Sequence, residues 1–464
     1  MDRLKALYFK QFGVEPQSVT AITGSGSTRA YMRLSSPAGS AIGVIGTDVR
    51  ENDTFVYLAE TLGLQGAPVP QVYGVSEDRE CYLQQDLGDT SLFSLLHGPE
   101  QDRYVEQVMR RLPELQLCRV DEQRLYPVRR MSERHVMWDL NYFKYCFLKP
   151  SGVAFDEEAL EDDFQRLTAE IMEGQPQGLM YRDCQSRNVM VHDGRVRWID
   201  FQSMRRGPLL YDLASFLWQA RAAFTPEERQ KYASVYMQRL SELQPELKVE
   251  VLERKLPAMV LFRTLQVLGA YGLRGLTEHK AHFVESIPGA LQNVRELLDT
   301  QMLDGLPELK NALGVLVRLP RFAPHESEGK LRVQVFSFSY KKGYPEDLSG
   351  NGGGFMFDCR GMHNPGRYDE YKPLTGRDMP VIEFLEERGE VQPFLEASYK
   401  MVDPAVATYI RRGFSNLQIG FGCTGGRHRS VYCAEHMVHH LKEKFGDQIL
   451  VSLFHREQGI KELL

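Results

Sequence analysis

The chain has 464 residues, and a prior of roughly 150 residues per domain predicts two or three domains. Hydrophobic residues make up 42%, enough for sizeable cores and too many for a disordered chain. A net charge of -6 argues against general affinity for nucleic acid or anionic membranes, while leaving room for a local basic patch.

The opening segment, MDRLKALYFKQFGVEPQ, predicts an amphipathic helix and lacks a signal-peptide core. No apolar run approaches the roughly 20 residues of a membrane span, so no membrane contact is expected. Seven cysteines (81, 118, 146, 184, 359, 423 and 433) form no CxxC and no metal-like pairing. That scatter predicts reduced thiols in a soluble cytoplasmic protein.

Residues 16 to 90 read as short strands, among them RAYMRL, AIGVIG and CYLQQDL. One helix interrupts them, ENDTFVYLAETLGL, whose apolar residues at 55, 58, 59 and 62 share a face. Residues 91 to 175 are mostly helical by the same criterion. Two strands follow, VMVH and VRWID, joined by Asp193-Gly194, a strong hairpin signal. From Pro208 to about 315 long amphipathic helices return. The stretch RLPRFAPHESEGK reads as a linker, LRVQVFSFSY starts a new strand pattern, and SGNGGGF at 349 to 355 reads as a turn. The expected domains are therefore 1 to 315 (a strand-rich lobe to about 90, then a helical lobe), a linker at 316 to 330, and an α/β domain at 331 to 464.

The stretch YRDCQSRNVMVHDGRVRWIDFQ carries the chemistry of the first domain. Phosphoryl transfer needs a carboxylate for the attacking hydroxyl and oxygen ligands that hold Mg²⁺ on the phosphates. Asp183, then Asn188, a hairpin and Asp200 supply those parts in protein-kinase order.

With GPLLYDLASFLW downstream and GSGSTRAYMRL, VPQVYGV and YLQQDLGDTSL upstream, this stretch resembles the aminoglycoside phosphotransferase and choline kinase group. Within that group it is most similar to the anomeric kinases of cell-wall amino sugars. The resemblance covers roughly the first 310 residues and implies an α/β (α+β), protein-kinase-like two-lobed fold that uses ATP and Mg²⁺. It implies that Asp183 is the catalytic base, Asn188 and Asp200 are Mg²⁺ ligands, and Asp212 braces the loop. Gln85, Asp86 and Leu87 fall at the hinge beside the adenine, and the loop Gly24, Ser25, Gly26 and Ser27 would cover the phosphates. Two departures stand out: Tyr181 replaces the usual His, and AIGVIGTD offers no phosphate-clamping lysine. Either Arg29 or Arg33 is a substitute for that charge. Trp138, Asp139 and Tyr142, close to Asn141, suit a sugar ring; the alternative is an ordinary amphipathic helix with a core Trp.

In the last domain LQIGFG predicts a buried strand and SVYCAEHMVHHLKEKF a helix, with CTGGRHR between them. Strand, glycine-rich turn and helix N-terminus make an anion site. Cys423, Thr424, Gly425, Gly426, Arg427, His428, Arg429 and Ser430 form this phosphate cradle. A cysteine phosphatase shares the spacing, but it needs a general acid, for which only Asp358 and Asp378 offer themselves. Gly422 also stands where tyrosine phosphatases carry His.

SFSYKKGYP, FDCRGMHNPG, YKPLTGRDMPV and GFGCTGGRHRSVYCAE together resemble the RapZ C-terminal domain. That resemblance implies a phosphosugar-sensing module able to bind small RNAs and an RNase, with Lys341, Asp358, Arg360, Asn364 and Thr375 around the cradle. Asp358 and Arg360 also fit a structural ion pair. Residues 331 to 464 hold 17 Lys and Arg against 17 Asp and Glu, which argues against RNA. The expected function is an ATP-dependent kinase of a small sugar with a sugar-phosphate-binding domain. A cysteine phosphatase and a non-catalytic RNA or protein adaptor are the alternatives.

Overall fold

The computed structural model describes residues 1–22, 29–278, 280–319, 322, 330–345, 354–412, 414 and 416–463. They fall into two compact units, Met1–Leu273 with Ser286–Ala323, and Arg274–Glu285 with Pro324–Leu464. The loop 24–27 expected over the phosphates, most of the linker and most of the glycine run at 349–355 lie outside the described residues.

The first unit begins with the helix Asp2–Phe12, which buries Leu4 and Tyr8. They pack on Leu34, Ala41, Cys81 and Leu83 of a five-stranded antiparallel sheet. Its strands are β1 (Ser18–Ile22), β2 (Ala30–Ser36), β3 (Gly39–Ile45), β4 (Val72–Val75) and β5 (Cys81–Gln85), in the order β1-β2-β3-β5-β4. The helix Val49–Leu64 starts where the Asp48 side chain accepts the N–H groups of Arg50 and Glu51. Phe55, Leu58, Ala59 and Leu62, its predicted inner face, are all buried.

The rest of this unit is mainly helical. Its long helix Val249–Tyr271 packs so closely on Glu133–Phe143 that a Cβ on Gly269 would lie 2.9 Å from the Phe143 nitrogen. From Leu256 onward it is covered on most sides and carries no charge except Arg263. The stretch Val249–Thr277 is in fact long and apolar enough to cross a membrane, but 72% of its most apolar window is buried. This corrects the expectation that no apolar run reaches that length; the run serves a core.

Two small ladders present the loop chemistry. Strand β6 (Gln177–Met180) pairs with β9 (Arg205–Pro208), and β7 (Val189–His192) pairs with β8 (Arg195–Trp198), all antiparallel. Asp193 and Gly194 turn the second hairpin at φ 50° and 69°, the two positive values a tight primed turn requires.

The second unit carries β10 (Leu331–Ser339), β11 (Gly354–Asp358), β12 (Asn416–Cys423), β13 (Ile449–His455) and β14 (Ile460–Leu463). Their order is β11-β12-β10-β13-β14, parallel except for the last pair. Strand β12 is buried from Leu417 to Cys423, as a strand inside a parallel sheet must be. Its glycines make room for rings: a Cβ on Gly422 would lie 2.4 Å from the Tyr340 ring and 2.6 Å from Phe338. Helix Arg429–Phe445 follows, burying Val431, Tyr432, Met437 and Leu441.

The segment around Gly376 crosses the start of that helix. A Cβ there would stand 2.2 Å from the His428 carbonyl oxygen and 2.5 Å from the Tyr432 nitrogen, both backbone atoms. Gly376→Ala should therefore destabilise the second unit by about 3 kcal/mol, the upper range for overpacking, read as a lower urea midpoint.

Candidate functional site

The loop after β6 is held by Asp212. This buried carboxylate accepts the backbone N–H groups of Tyr181 (2.7 Å) and Arg182 (2.9 Å) and the Gln116 side-chain amide (2.7 Å). Burial pushes its pKa up to about 6 against the pull of those hydrogen bonds. Arg182 sits at φ 79°, a left-handed conformation that non-glycine residues keep only when their surroundings impose it. Tyr181 is fully buried and its hydroxyl donates to the Ile199 carbonyl. The tyrosine that replaces the usual His thus packs and anchors the residue before Asp200.

Asp183 follows, with Ser203 Oγ donating to its Oδ2 at 3.4 Å. Asn188 Nδ2 donates to the Asp183 carbonyl at 2.9 Å, which leaves the amide oxygen for another partner. The Asn188 carbonyl accepts the Ile199 N–H at 3.0 Å, so the β7–β8 hairpin returns Asp200 beside Asn188. Asp200, at φ 63°, takes Gln202 Nε2 (2.9 Å) and Arg29 Nη2 (3.4 Å) on Oδ1. The three expected groups are thus gathered around one loop. Two carboxylates and an amide are too few for a protein-only metal cage, and no cluster of three His, Cys, Asp or Glu forms one among the described residues. They do fit Mg²⁺, which is commonly held by one or two carboxylates together with substrate phosphates.

The two candidate arginines separate. Arg29, 8% exposed, reaches Asp200 and lies 3.5 Å from Glu51 on the helix Val49–Leu64. Its stem passes over Gly46, where a Cβ would be 3.0 Å from its Cγ. Arg33 instead grips the hinge, Asp86 at 2.8 Å and Asp89 at 2.8 Å. Burial tends to raise the Asp86 pKa, but Ser40, the Gly88 N–H and Arg33 together hold it below the usual range. Arg33 therefore braces Asp86 and does not extend toward Asp200. Gln85 pairs with Gln71 through backbone and side chain, and Leu87 is buried.

On the helix Glu133–Phe143, His135, Trp138, Asp139 and Tyr142 share one face by their spacing. Trp138 is 60% exposed, which removes the reading of a core tryptophan. Asp139 accepts Arg182 Nη1 (3.2 Å) and Gln266 Nε2 (2.9 Å), tying this face to the Asp183 loop. The Tyr142 ring lies against Gly269.

In the second unit, Ser339 and Cys423 stand opposite each other at the carboxyl ends of parallel neighbours, where open α/β sheets carry ligands. Gly426, at φ 64°, closes the loop so tightly that a Cβ would lie 2.8 Å from the Ser339 nitrogen. Cys423 is buried; its sulfur accepts the Gly426 N–H at 3.2 Å and lies 3.1 Å from Ser430 Oγ. Thr424, Gly425 and Arg427 are exposed, whereas His428, Arg429 and Ser430 are buried.

His428 turns inward, its Nε2 donating to the Tyr371 carbonyl at 2.9 Å. Burial pushes its pKa down, so it adds no positive charge to the cradle. Arg429 Nη1 donates to the carbonyls of Arg360 (3.0 Å) and Met362 (2.6 Å), while its buried Nε has no hydrogen-bond partner among the described residues. Asp358 and Arg360 make the bidentate ion pair, and the guanidinium lies 4.1 Å above the Tyr340 ring. Thr375 caps onto Asp378, Asn364 caps Gly366, and Lys341 is exposed. Arg360 holds Asp358, and the Thr375 N–H and hydroxyl hold Asp378, below the usual carboxylate range. Neither carries a proton near neutrality to give a leaving group, which counts against phosphatase chemistry.

A loop carboxylate, an amide five residues on and a second carboxylate behind a hairpin, set between a sheet-rich and a helical region, define a kinase-like phosphotransferase unit. Residues 13–245 match the phosphotransferase enzyme family, and the chain belongs to it. Residues 331–459 match the RapZ C-terminal domain. Among curated proteins, a nucleotide-binding protein of Paramagnetospirillum magneticum is 39% identical over 132 residues, 28% of this chain and 40% of its own length. One of Xanthomonas axonopodis pv. citri is also 39% identical over 132 residues, 28% of this chain and 44% of its own length. The chain thus spans about two fifths of the length of these relatives. Among solved structures, a Plasmodium vivax ethanolamine kinase aligns at TM-score 0.46 and 12% identity, over 60% of this chain and 82% of that one. The choline kinase LicA from Streptococcus pneumoniae aligns at TM-score 0.44 and 12% identity, over 64% of this chain and 99% of that one.

Asp212→Ala removes the acceptor for two loop N–H groups and the Gln116 amide. Each buried unpaired donor costs about 1–3 kcal/mol, so the variant should lose more than about 3 kcal/mol, measured by urea unfolding.

Proposed function

We propose that the chain transfers the γ-phosphoryl group of ATP to a hydroxyl of a small sugar in the cytoplasm, a cell-wall amino sugar such as N-acetylmuramate or N-acetylglucosamine. The observation that carries this reading is the convergence of Asp183, Asn188 and Asp200, locked by the Asn188–Asp183 and Ile199–Asn188 hydrogen bonds. Asp183 accepts the proton of the attacking hydroxyl as the new O–P bond forms. Asn188 Oδ1 and the second oxygen of Asp200 would hold Mg²⁺, which supplies charge neutralisation on the phosphates. Arg29 serves the same side of the site, in place of the missing strand lysine. Gln85 to Leu87 edge the adenine, and the exposed Trp138 offers a face for the sugar. The choice of an amino sugar rests on the resemblance of both parts of the chain to proteins of amino-sugar metabolism.

The second unit, in the same reading, binds a sugar phosphate, either the product or a related amino-sugar phosphate. The unpartnered Nε of Arg429, the exposed backbone of Thr424 and Gly425, and the start of the helix Arg429–Phe445 support an anion there.

ATP turnover with a sugar panel, read by mass spectrometry of the product, tests the kinase. Asp183→Asn should lower kcat by about 10²–10⁴-fold, the usual worth of a general base, and Asp200→Ala should abolish turnover. Unchanged rates in both would sink the assignment. For the second unit, calorimetric titration of the full chain with inorganic phosphate and amino-sugar phosphates should show binding that Arg429→Gln weakens at least about tenfold, the loss expected for a charge-assisted hydrogen bond.

A further inference from the structure

Arg205 is a buried cation beside the catalytic loop with no counter-charge of its own. It opens β9 and faces Met180 across the ladder, so it stands at the threshold of the loop that bears Asp183. The residue is 8% exposed, and it takes part in no ion pair among the described residues. Its Nε donates to the Ser203 carbonyl at 3.3 Å, and Ser203 Oγ is the group that touches Asp183.

The neighbouring carboxylates, Asp139 and Asp183, offset its charge only in part. Asp139 is already engaged by Arg182 and Gln266, and Asp183 faces the reacting hydroxyl. Arg134 adds a third cation on the same helix as His135 and Asp139. Arg205, Arg182 and Arg134 all act on the His135 ring, with Asp139 as the carboxylate among them, and that ring stands edge-on 5.1 Å from Trp138. Burial, and then the Arg182 cation, push the Arg205 pKa down to about 10, and the His135 ring is held toward its neutral form by burial and then by Arg205. Burying a guanidinium without a partner is costly, and a ligand that brings the missing negative charge removes that cost.

We propose that Arg205 is a specificity-determining residue that pairs with a carboxylate carried by the acceptor, so that the site selects acidic sugars over neutral ones. This rests on the sugar-kinase reading above. Arg29 attends Asp200, on the nucleotide side, whereas Arg205 is grouped with Arg182, Asp139 and His135. That grouping assigns its anion to the acceptor and not to ATP.

The test compares the wild-type full chain with Arg205→Met and Arg205→Lys. Steady-state kinetics would use N-acetylmuramate, its methyl ester and N-acetylglucosamine. Arg205→Met should lower kcat/KM for the acid at least about thirtyfold, the scale of a lost charge-assisted hydrogen bond. The ester and the neutral sugar should change less than about threefold by the same logic. Arg205→Lys should restore part of the loss, and KM for ATP should not move. Equal losses on all three acceptors would assign Arg205 to the phosphoryl group or to the fold and overturn the proposal. A second arm needs no turnover: D-lactate, with lactamide as control, is titrated while tryptophan fluorescence is followed. Carboxylate-selective binding that Arg205→Met weakens would uphold the anion site even if no sugar is phosphorylated, in which case only the sugar-kinase reading fails. No such selectivity in the wild type would overturn the proposal whatever the sugar panel gives.

Discussion

The phosphotransferase site depends on one buried carboxylate. Asp212 gathers two consecutive backbone N–H groups and the Gln116 amide, and this holds Arg182 in a left-handed turn. Such a conformation persists only where its neighbours over-determine it. From that turn the rest follows in sequence. Asp183 is placed against Ser203, Arg182 is directed onto Asp139, and the loop becomes tied to the helix that carries Trp138. An ionisable group kept where it titrates near 6 is tolerated because no neutral side chain of that size accepts three donors at once.

The loop after Cys423 in the second unit, proposed above to hold an anion, obeys a related rule with different parts. A left-handed glycine, a sulfur that accepts an N–H and a buried arginine fix a short turn at the end of a parallel strand. Here most donors already have partners inside the protein. His428 serves the segment at Tyr371 and Arg429 Nη1 serves the Arg360–Met362 carbonyls, so the turn is rigid and the groups left for a ligand are few. Few, fixed donors suit the proposed recognition of a small anion better than chemistry on it.

What was legible in the sequence was local. The order Asp183, Asn188, hairpin, Asp200 lies within eighteen residues, and its turn is announced by Asp193-Gly194. The buried strand before Cys423 and the helix after it are equally plain, because apolar runs and glycines mark them. Arg29 and Arg33 were indistinguishable because their partners are remote; Arg33 meets Asp86 across 53 positions and Arg29 meets Asp200 across 171. The inward turn of His428 depends on a carbonyl 57 residues away. The apolar character of the helix Val249–Tyr271 was spread among charges and became evident only once its covering helices were in place. Arg205 has no pattern around it; only burial without an ion pair among the described residues singles it out.

The ring of Tyr340 over Gly422 bears on how such loops change their trade. Tyr340 lies where a histidine side chain would have to go, and it is also the platform on which Arg360 rests. Installing that histidine would displace the ring, unseat Arg360 and disturb the carbonyl that Arg429 holds. A hydrolase cannot therefore be reached from this loop by a single substitution. Any engineered descendant would have to pass through a variant in which the contacts joining Tyr340, Arg360 and Arg429 are broken.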